Sequence, residues 1–320
     1  MYFTLNLHLE TSNFHYLCAV NHSELIKQLT PLHGAGEARA IVRMVMEERF
    51  GLSQTDLLLG KDTTLSPRDR EDFEKIASRL LAGEPVQHIL GFADFHGHRF
   101  HVTPDVLIPR PETEQLVDFA LPLIKQRSSH RILDLCTGSG CIAISLALAV
   151  PNALVTAIDI SATALTIARE NALTLGAKNI SFFQQDILDP SFPNTQSLSS
   201  SECDEHVSCS DAAPFHLLTA NPPYVRTSEA ASMSPTVLEH EPSLALFVPD
   251  DDPLLFYRAI ARIGRRLLTS DGHILVELNT ALADATRHLF LGAGYEDVRI
   301  LNDQFGRPRF LFSHVQEPHR

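Results

Sequence analysis

The tetrapeptide Asn221-Pro222-Pro223-Tyr224 constrains this chain more than any other segment. It follows the apolar run Phe215-His216-Leu217-Leu218-Thr219-Ala220, which reads as a buried strand. Neither proline has an N–H to give to a sheet ladder, so a central strand cannot continue through them. The chain must leave the sheet at Asn221 in a stiff, extended form. Open α/β sheets bind ligands at such strand ends. An Asn side-chain oxygen beside a proline carbonyl is a pair of fixed acceptors, suited to the two hydrogens of a planar –NH2 group. The bland alternative is a plain strand-ending turn, and the Gly-rich loop upstream weighs against it.

The rest of the chain supplies the sheet. From residue 131 onward, strands and helices alternate. Strands are expected at 131–136, 153–159, 180–183, 215–220 and 273–278, with helices at 141–149, 162–175, 254–268 and 282–291. Two closing strands are expected at 298–301 and 309–312. Such alternation predicts a parallel, doubly wound α/β sheet with an antiparallel addition. Before it, residues 21–85 read as a small helical domain. Ser66-Pro67 starts one helix, and Phe73, Ile76, Ala77, Leu80 and Leu81 line its apolar face. Residues 86–108 read as a β-hairpin linker, with strands at 86–90 and 99–102. A helix over 112–125 opens the domain that spans 109–320. Residues 1–20 read as an extension, and 190–214, rich in Ser, Asn, Asp and Pro, as a mobile insertion.

Three further places carry chemistry. The run from Ile132 through Asp134, Cys136, Thr137, Gly138, Ser139 and Gly140 to Cys141 is a strand, a tight Gly-rich turn and a helix start. A dinucleotide fingerprint competes here, since Ala143 takes the place of its last glycine. The polar loop, with Asp134 inside the strand, is more typical of a cofactor with an amino-acid end. Asp159 ends the next strand, where a carboxylate accepts ribose hydroxyls or, more plainly, caps a helix. Asp186 follows the third strand and is a candidate acceptor for an adenine amino group, where its place in the pattern weighs against the plainer reading of a lone acid in a loop.

Together these positions resemble the class I S-adenosylmethionine-dependent methyltransferases. With Asn221-Pro222-Pro223-Tyr224 added, they resemble those that methylate planar amino or amide nitrogens. Three blocks then make the likeness specific: Gly83-Glu84-Pro85-Val86-Gln87-His88-Ile89-Leu90-Gly91, Val106-Leu107-Ile108-Pro109-Arg110-Pro111-Glu112-Thr113-Glu114, and Gly138-Ser139-Gly140-Cys141-Ile142-Ala143. Glu241-Pro242-Ser243-Leu244-Ala245-Leu246 and the 303–309 segment also fit. The chain is similar to the peptide-chain release factor glutamine methyltransferases from about Glu37 to its end, the insertion excepted. The resemblance implies a seven-stranded Rossmann-like methyltransferase sheet and an N-terminal helical domain that helps hold the substrate. It implies S-adenosylmethionine as cofactor and, as protein partner, a class I release factor methylated on N5 of the Gln in its Gly-Gly-Gln loop. By residue, it places Asp134, Cys136, Thr137, Gly138, Ser139, Gly140, Asp159, Asp186, Ile187 and Asn221 around the cofactor. Asn221, Pro222, Pro223 and Tyr224 would bind the substrate, with Asn221, Pro222 and Tyr224 in catalysis.

The chain departs from the family's pattern in three places. Cys136 stands where Gly is usual, so its φ is expected to be one a side chain tolerates. Val248-Pro249-Asp250-Asp251-Asp252-Pro253 replaces a Gly-rich turn, and a Gln is missing near Thr280. Cys203, His206 and Cys209 lack an obvious fourth ligand, and His96, His98 and His101 read as a solvated hairpin, so no metal is expected. Arg262 to Arg266 reads as the solvated side of a helix.

Composition narrows the alternatives. A net charge of −13 argues against a broad nucleic-acid surface, and so against the runner-up, methylation of an adenine or rRNA amino group. An intact Asn-Pro-Pro-Tyr argues against a second alternative, a catalytically inactive adaptor of translation. No apolar run is long enough to span a membrane, residues 1–20 lack a signal peptide's basic region, and the five cysteines are scattered. A cytoplasmic protein without stable nucleic-acid or membrane binding is the expectation.

Overall fold

The computed structural model describes residues 21–124, 130–192 and 214–314. The chain divides into two compact units, Met1–Leu90 and Gly91–Arg320.

The first unit is helical: α1 (His22–Phe50), α2 (Gln54–Leu58), α3 (Pro67–Leu81) and α4 (Val86–Leu90). In α1, Gly34 at φ 77 kinks the helix. The Ser66 hydroxyl accepts the Asp69 N–H and caps α3, which the Ser-Pro pair foretold. Leu25, Val42, Val45 and Met46 of α1 pack with Phe73, Ile76 and Leu80 of α3. Val86 joins the same core. The strand expected over 86–90 is therefore a helical turn. Three apolar residues among five, Val86, Ile89 and Leu90, are too few for periodicity to decide, and Pro85 pre-sets a helical start.

The second unit opens with a hairpin, β1 (Phe92–Phe95) and β2 (His98–His101). Its two-residue turn, His96-Gly97, takes positive φ at both positions, 48 and 77. The hairpin thus lies later than expected and belongs to the second unit. Among the described residues no group of His, Cys, Asp and Glu is placed to hold a metal. Cys203, His206 and Cys209 lie outside the described residues.

After α5 (Pro111–Ile124) come β3 (His130–Leu135), α6 (Cys141–Ala149), β4 (Ala153–Asp159), α7 (Ala162–Leu175), β5 (Ile180–Gln184) and β6 (Phe215–Ala220). Short elements follow: β7 (Val225–Arg226), α8 (Pro235–His240), α9 (Ser243–Leu246) and β8 (Phe247–Val248). The chain then continues through α10 (Leu255–Leu267), β9 (Leu268–Glu277), α11 (Ala283–Gly292), β10 (Glu296–Asn302) and β11 (Pro308–His314). The sheet has seven strands in the order β10-β11-β9-β6-β3-β4-β5. β9, β6, β3, β4 and β5 pair with one another in parallel, and β11 alone of the seven runs the other way, antiparallel to both of its neighbours.

Period-2 alternation sorts the core into two layers. Ile132, Leu217 and Leu275 pack with α5, α6 and the hairpin. Leu133, Leu218 and Val276, one residue along each strand, pack with α10 and α11. The insertion expected from 190 begins later than that, because Phe192 is buried in this second layer. Residues 193–213 lie outside the described residues. The Arg262 guanidinium donates to the carbonyls of Ile187 and Asp189 at 2.9 and 3.1 Å. It ties down the segment after β5 rather than simply facing solvent.

Gly264 sits where α10 meets β9, and a Cβ there would run into the Tyr295 hydroxyl and the Ile274 side chain. Tyr295 is itself held by a 2.8 Å bond to the Ala261 carbonyl. Gly264→Ala should therefore lower stability by about 1–3 kcal/mol through overpacking. Urea unfolding measures this, and an unchanged midpoint would show that the α10–β9 contact is loose.

Candidate active site

The strand order reverses between β3 and β6, since β4 and β5 extend one side of β3 and β6 lies on the other. Crevices at such switch points bind ligands. A cavity of about 310 Å³ lies there, a size usual for small-molecule sites. Its walls come from the ends of β3, β4, β5 and β6, the 104–113 segment and the 242–245 segment.

The loop after β3 carries three left-handed residues, Cys136, Gly138 and Gly140, at φ 58, 55 and 82. The two glycines serve different ends. A Cβ on Gly138 would meet nothing within 4 Å, so its absence leaves the cavity wall open to a ligand. A Cβ on Gly140 would press on Ile144 and Ala168, so that glycine lets the loop pack closely. Cys136 is expected to take a φ that a side chain tolerates, and φ 58 lies in the small left-handed region where that is uncommon. It keeps the left-handed conformation at a cost of about 1 kcal/mol. Burial pushes its thiol well above the ordinary range, with Asp159 and Asp134 adding to the shift.

Asp159 accepts the Gly138 N–H at 2.8 Å and the Ser161 N–H at 2.9 Å, one on each oxygen. It therefore shapes the loop and steadies Ser161, the N-cap of α7, while also lining the cavity. Each oxygen keeps a second lone-pair direction for a hydroxyl. Burial raises its pKa, opposed by these backbone donors. Cys136, Thr137, Gly138, Ser139, Asp159, Asp186, Ile187, Asn221 and Pro223 all line the cavity. Asp134, Gly140, Pro222 and Tyr224 do not. Asp134 is wholly buried beneath the loop, where one oxygen accepts the Thr219 hydroxyl at 2.6 Å.

Several residues that matter here carried no role in the sequence reading. Asn171 of α7 accepts the His101 N–H and donates to the carbonyls of His101 and Ser139, joining hairpin, helix and loop. Glu241, 5% exposed, accepts the Ile108 N–H at 3.1 Å and an Arg110 N–H at 2.5 Å. Two sequence blocks that carry the family likeness thus meet across the cavity rim. Glu277, at the end of β9, accepts the Thr113 hydroxyl at 2.6 Å and the Tyr224 hydroxyl at 3.1 Å. The Asn221 amide donates to Thr113 at 3.4 Å, and Asn279 donates to the Tyr224 carbonyl at 3.1 Å. Glu277 had a legible signal: an acid closing an apolar strand, like Asp159. Thr113 stood inside a family-like block with no role of its own, and Asn171 had no signal, because their partners are distant in sequence.

Burial pushes the Asp134 carboxyl from 3.8 up to about 7, partly opposed by the hydroxyls of Thr137 and Thr219. Below about pH 4 both native and unfolded chains hold this proton. As pH rises from 3.8 to about 7 the unfolded chain gives it up first, so the native state loses stability over that window. Asp159 and Glu277 are shifted the same way. Asp134→Asn should flatten part of this slope and exceed the parent in stability at neutral pH. Thermal unfolding of both proteins across the window tests this, and parallel curves would show that Asp134 does not titrate there.

The site also fits the chain's likeness to known proteins. Residues 25–91 match the PrmC N-terminal domain, and residues 126–239 match a methyltransferase domain. The release factor glutamine methyltransferase of Bacteroides thetaiotaomicron is 40% identical over 286 residues, covering 89% of this chain and 95% of that protein. Its namesake from Flavobacterium psychrophilum is 35% identical over 292 residues, covering 90% and 96%. A solved protein-(glutamine-N5) methyltransferase from Alicyclobacillus acidocaldarius is 27% identical, covers 68% of this chain and 99% of its own, and has a TM-score of 0.38. On the extent and identity of the first two matches, this chain belongs to the release factor glutamine methyltransferase family.

Proposed function

We propose that the enzyme transfers a methyl group from S-adenosylmethionine to the side-chain amide nitrogen of the Gln in the Gly-Gly-Gln loop of a class I release factor. One observation carries the reading: Asn221 leaves β6 directly onto the cavity wall, followed by two buried prolines. The names of the relatives support the substrate. Among the described residues no helix is long and apolar enough to cross a membrane, in keeping with a protein substrate met in solution.

The residues present fit the cofactor. Gly138 leaves backbone room, Asp159 has acceptor capacity for ribose hydroxyls, and Asp186 and Ile187 flank the wall after β5. S-adenosylmethionine supplies a methyl on a sulfonium, already a strong electrophile. An amide nitrogen is a poor nucleophile, because its lone pair is delocalised into the carbonyl. The protein's work is therefore placement and charge stabilisation. In this reading the Asn221 side-chain oxygen, on the cavity wall, accepts one amide hydrogen. The carbonyl of Pro222, which follows it but is not part of the cavity lining, accepts the other, so that the pair turns the nitrogen toward the methyl. They also stabilise the positive charge that grows on nitrogen as the N–C bond forms and the S–C bond breaks. Tyr224, its hydroxyl held by Glu277, supports the plane of the amide. The surplus proton leaves to water.

Asn221→Ala should abolish methyl transfer while leaving cofactor affinity within a few-fold. Calorimetry with the cofactor and a single-turnover assay on the release factor separate the two, and near-normal turnover would defeat the mechanism. Asp159→Ala should weaken cofactor binding by about tenfold or more, since charge-assisted bonds contribute roughly 1.5–3 kcal/mol each. Unchanged affinity would reduce Asp159 to a cap for Gly138 and Ser161.

A further inference from the structure

An Asn side chain has two ends of equal shape and opposite hydrogen-bonding sense. Only one orientation of Asn221 serves a substrate amide. With its oxygen toward the cavity it accepts an amide hydrogen, and with its –NH2 there it would repel one. Something outside the substrate must set the choice.

The Asn221 nitrogen faces the Thr113 hydroxyl at 3.4 Å. A hydroxyl can donate or accept, so this contact alone decides nothing. The next contact does. Thr113 donates its one proton to Glu277 over a short 2.6 Å bond. The other oxygen of Glu277 accepts the Tyr224 hydroxyl at 3.1 Å. A carboxyl that receives two hydroxyl protons accepts on both oxygens; burial raises its pKa, and the Thr113 hydroxyl, the Arg309 charge and the Tyr224 hydroxyl work against that rise. Thr113 is left with only lone pairs to offer Asn221. The –NH2 must then face Thr113, which leaves the oxygen for the cavity.

The fold holds this chain of contacts in place. Ala220 pairs with Val276, so Asn221 and Glu277 end their strands level with each other. Thr113 lies in the first turn of α5 and, like Glu277, is 2% exposed or less. The Asn221 bond is long, so its effect is to select between two orientations rather than to add much binding.

We propose that Glu277 and Thr113 are positioning residues that fix the hydrogen-bond polarity of the Asn221 amide. The proposal rests on the function given above for Asn221. Two readouts keep them separable. In the cofactor-free protein labelled with 15N-asparagine, one Asn221 amide proton should exchange with water more slowly than its twin. Thr113→Val, equal in shape but without the hydroxyl, should erase that difference, and Thr113→Ser should restore it. Single-turnover methylation of the release factor should slow by about tenfold in Thr113→Val, with cofactor affinity and melting temperature kept, and recover in Thr113→Ser. An exchange difference that survives Thr113→Val, or a Thr113→Val enzyme as fast as the parent, would overturn the proposal. A parent enzyme inactive on the release factor would instead defeat the function, while the exchange data would still decide the orientation.

Discussion

Three parallel strands, β3, β6 and β9, end level with one another: Leu135 pairs with Ala220, and Ala220 with Val276. The rest of the chemistry depends on this register. The next residue on each strand is then Cys136, Asn221 or Glu277. One backbone ladder thereby sets the Gly-rich loop, the Asn221 amide proposed to meet the substrate and the Glu277 carboxylate side by side. A slip of one residue on β6 would turn its side chains to the opposite face. It would bury Asn221 and lose the two-layer core, in which Leu217 and Leu218 point to opposite helices.

The polar groups behind the cavity are arranged on the same principle. Asp134 with Thr219, Asn171 with Ser139, and Glu241 with Ile108 and Arg110 each join segments far apart in sequence. Buried polar groups of this kind cost stability unless partnered, and they lock geometry when they are. Here they fix both sides of the rim and the floor of the Gly-rich loop. Asp134 exposes the cost most clearly, since burial, helped by the Asp159 charge, pushes its pKa up to about 7 against the hydroxyls of Thr137 and Thr219.

Much of this was legible in the sequence, for definite reasons. The strands at 153–159 and 215–220 and the helices at 141–149 and 162–175 match the structure to the residue, because periodicity and Gly or Ser boundaries agree there. The segment at 86–90 did not, since three apolar residues in a five-residue segment fit strand and helix alike. The ends of β3, β4 and β6 announced the cavity. Asp134 was legible as part of the motif but not as a buried support, because sequence does not show which side of a loop an acid faces. Arg262 looked solvated until the carbonyls of Ile187 and Asp189 gave it partners. Cys136 shows the opposite case: a glycine-like φ of 58 kept in spite of a side chain.

The central claim is chemical: the acceptor pair at the end of β6 selects the amide nitrogen of a glutamine. The most direct measurement is mass spectrometric. The enzyme is incubated with trideuteromethyl-labelled S-adenosylmethionine and, separately, a class I release factor, duplex DNA and rRNA. Each product is then fragmented to locate the label. The account predicts a single labelled methyl on the side-chain nitrogen of the Gln in the Gly-Gly-Gln loop, with both nucleic acids unlabelled. A label on an adenine amino group, or on any release factor residue but that Gln, would contradict it.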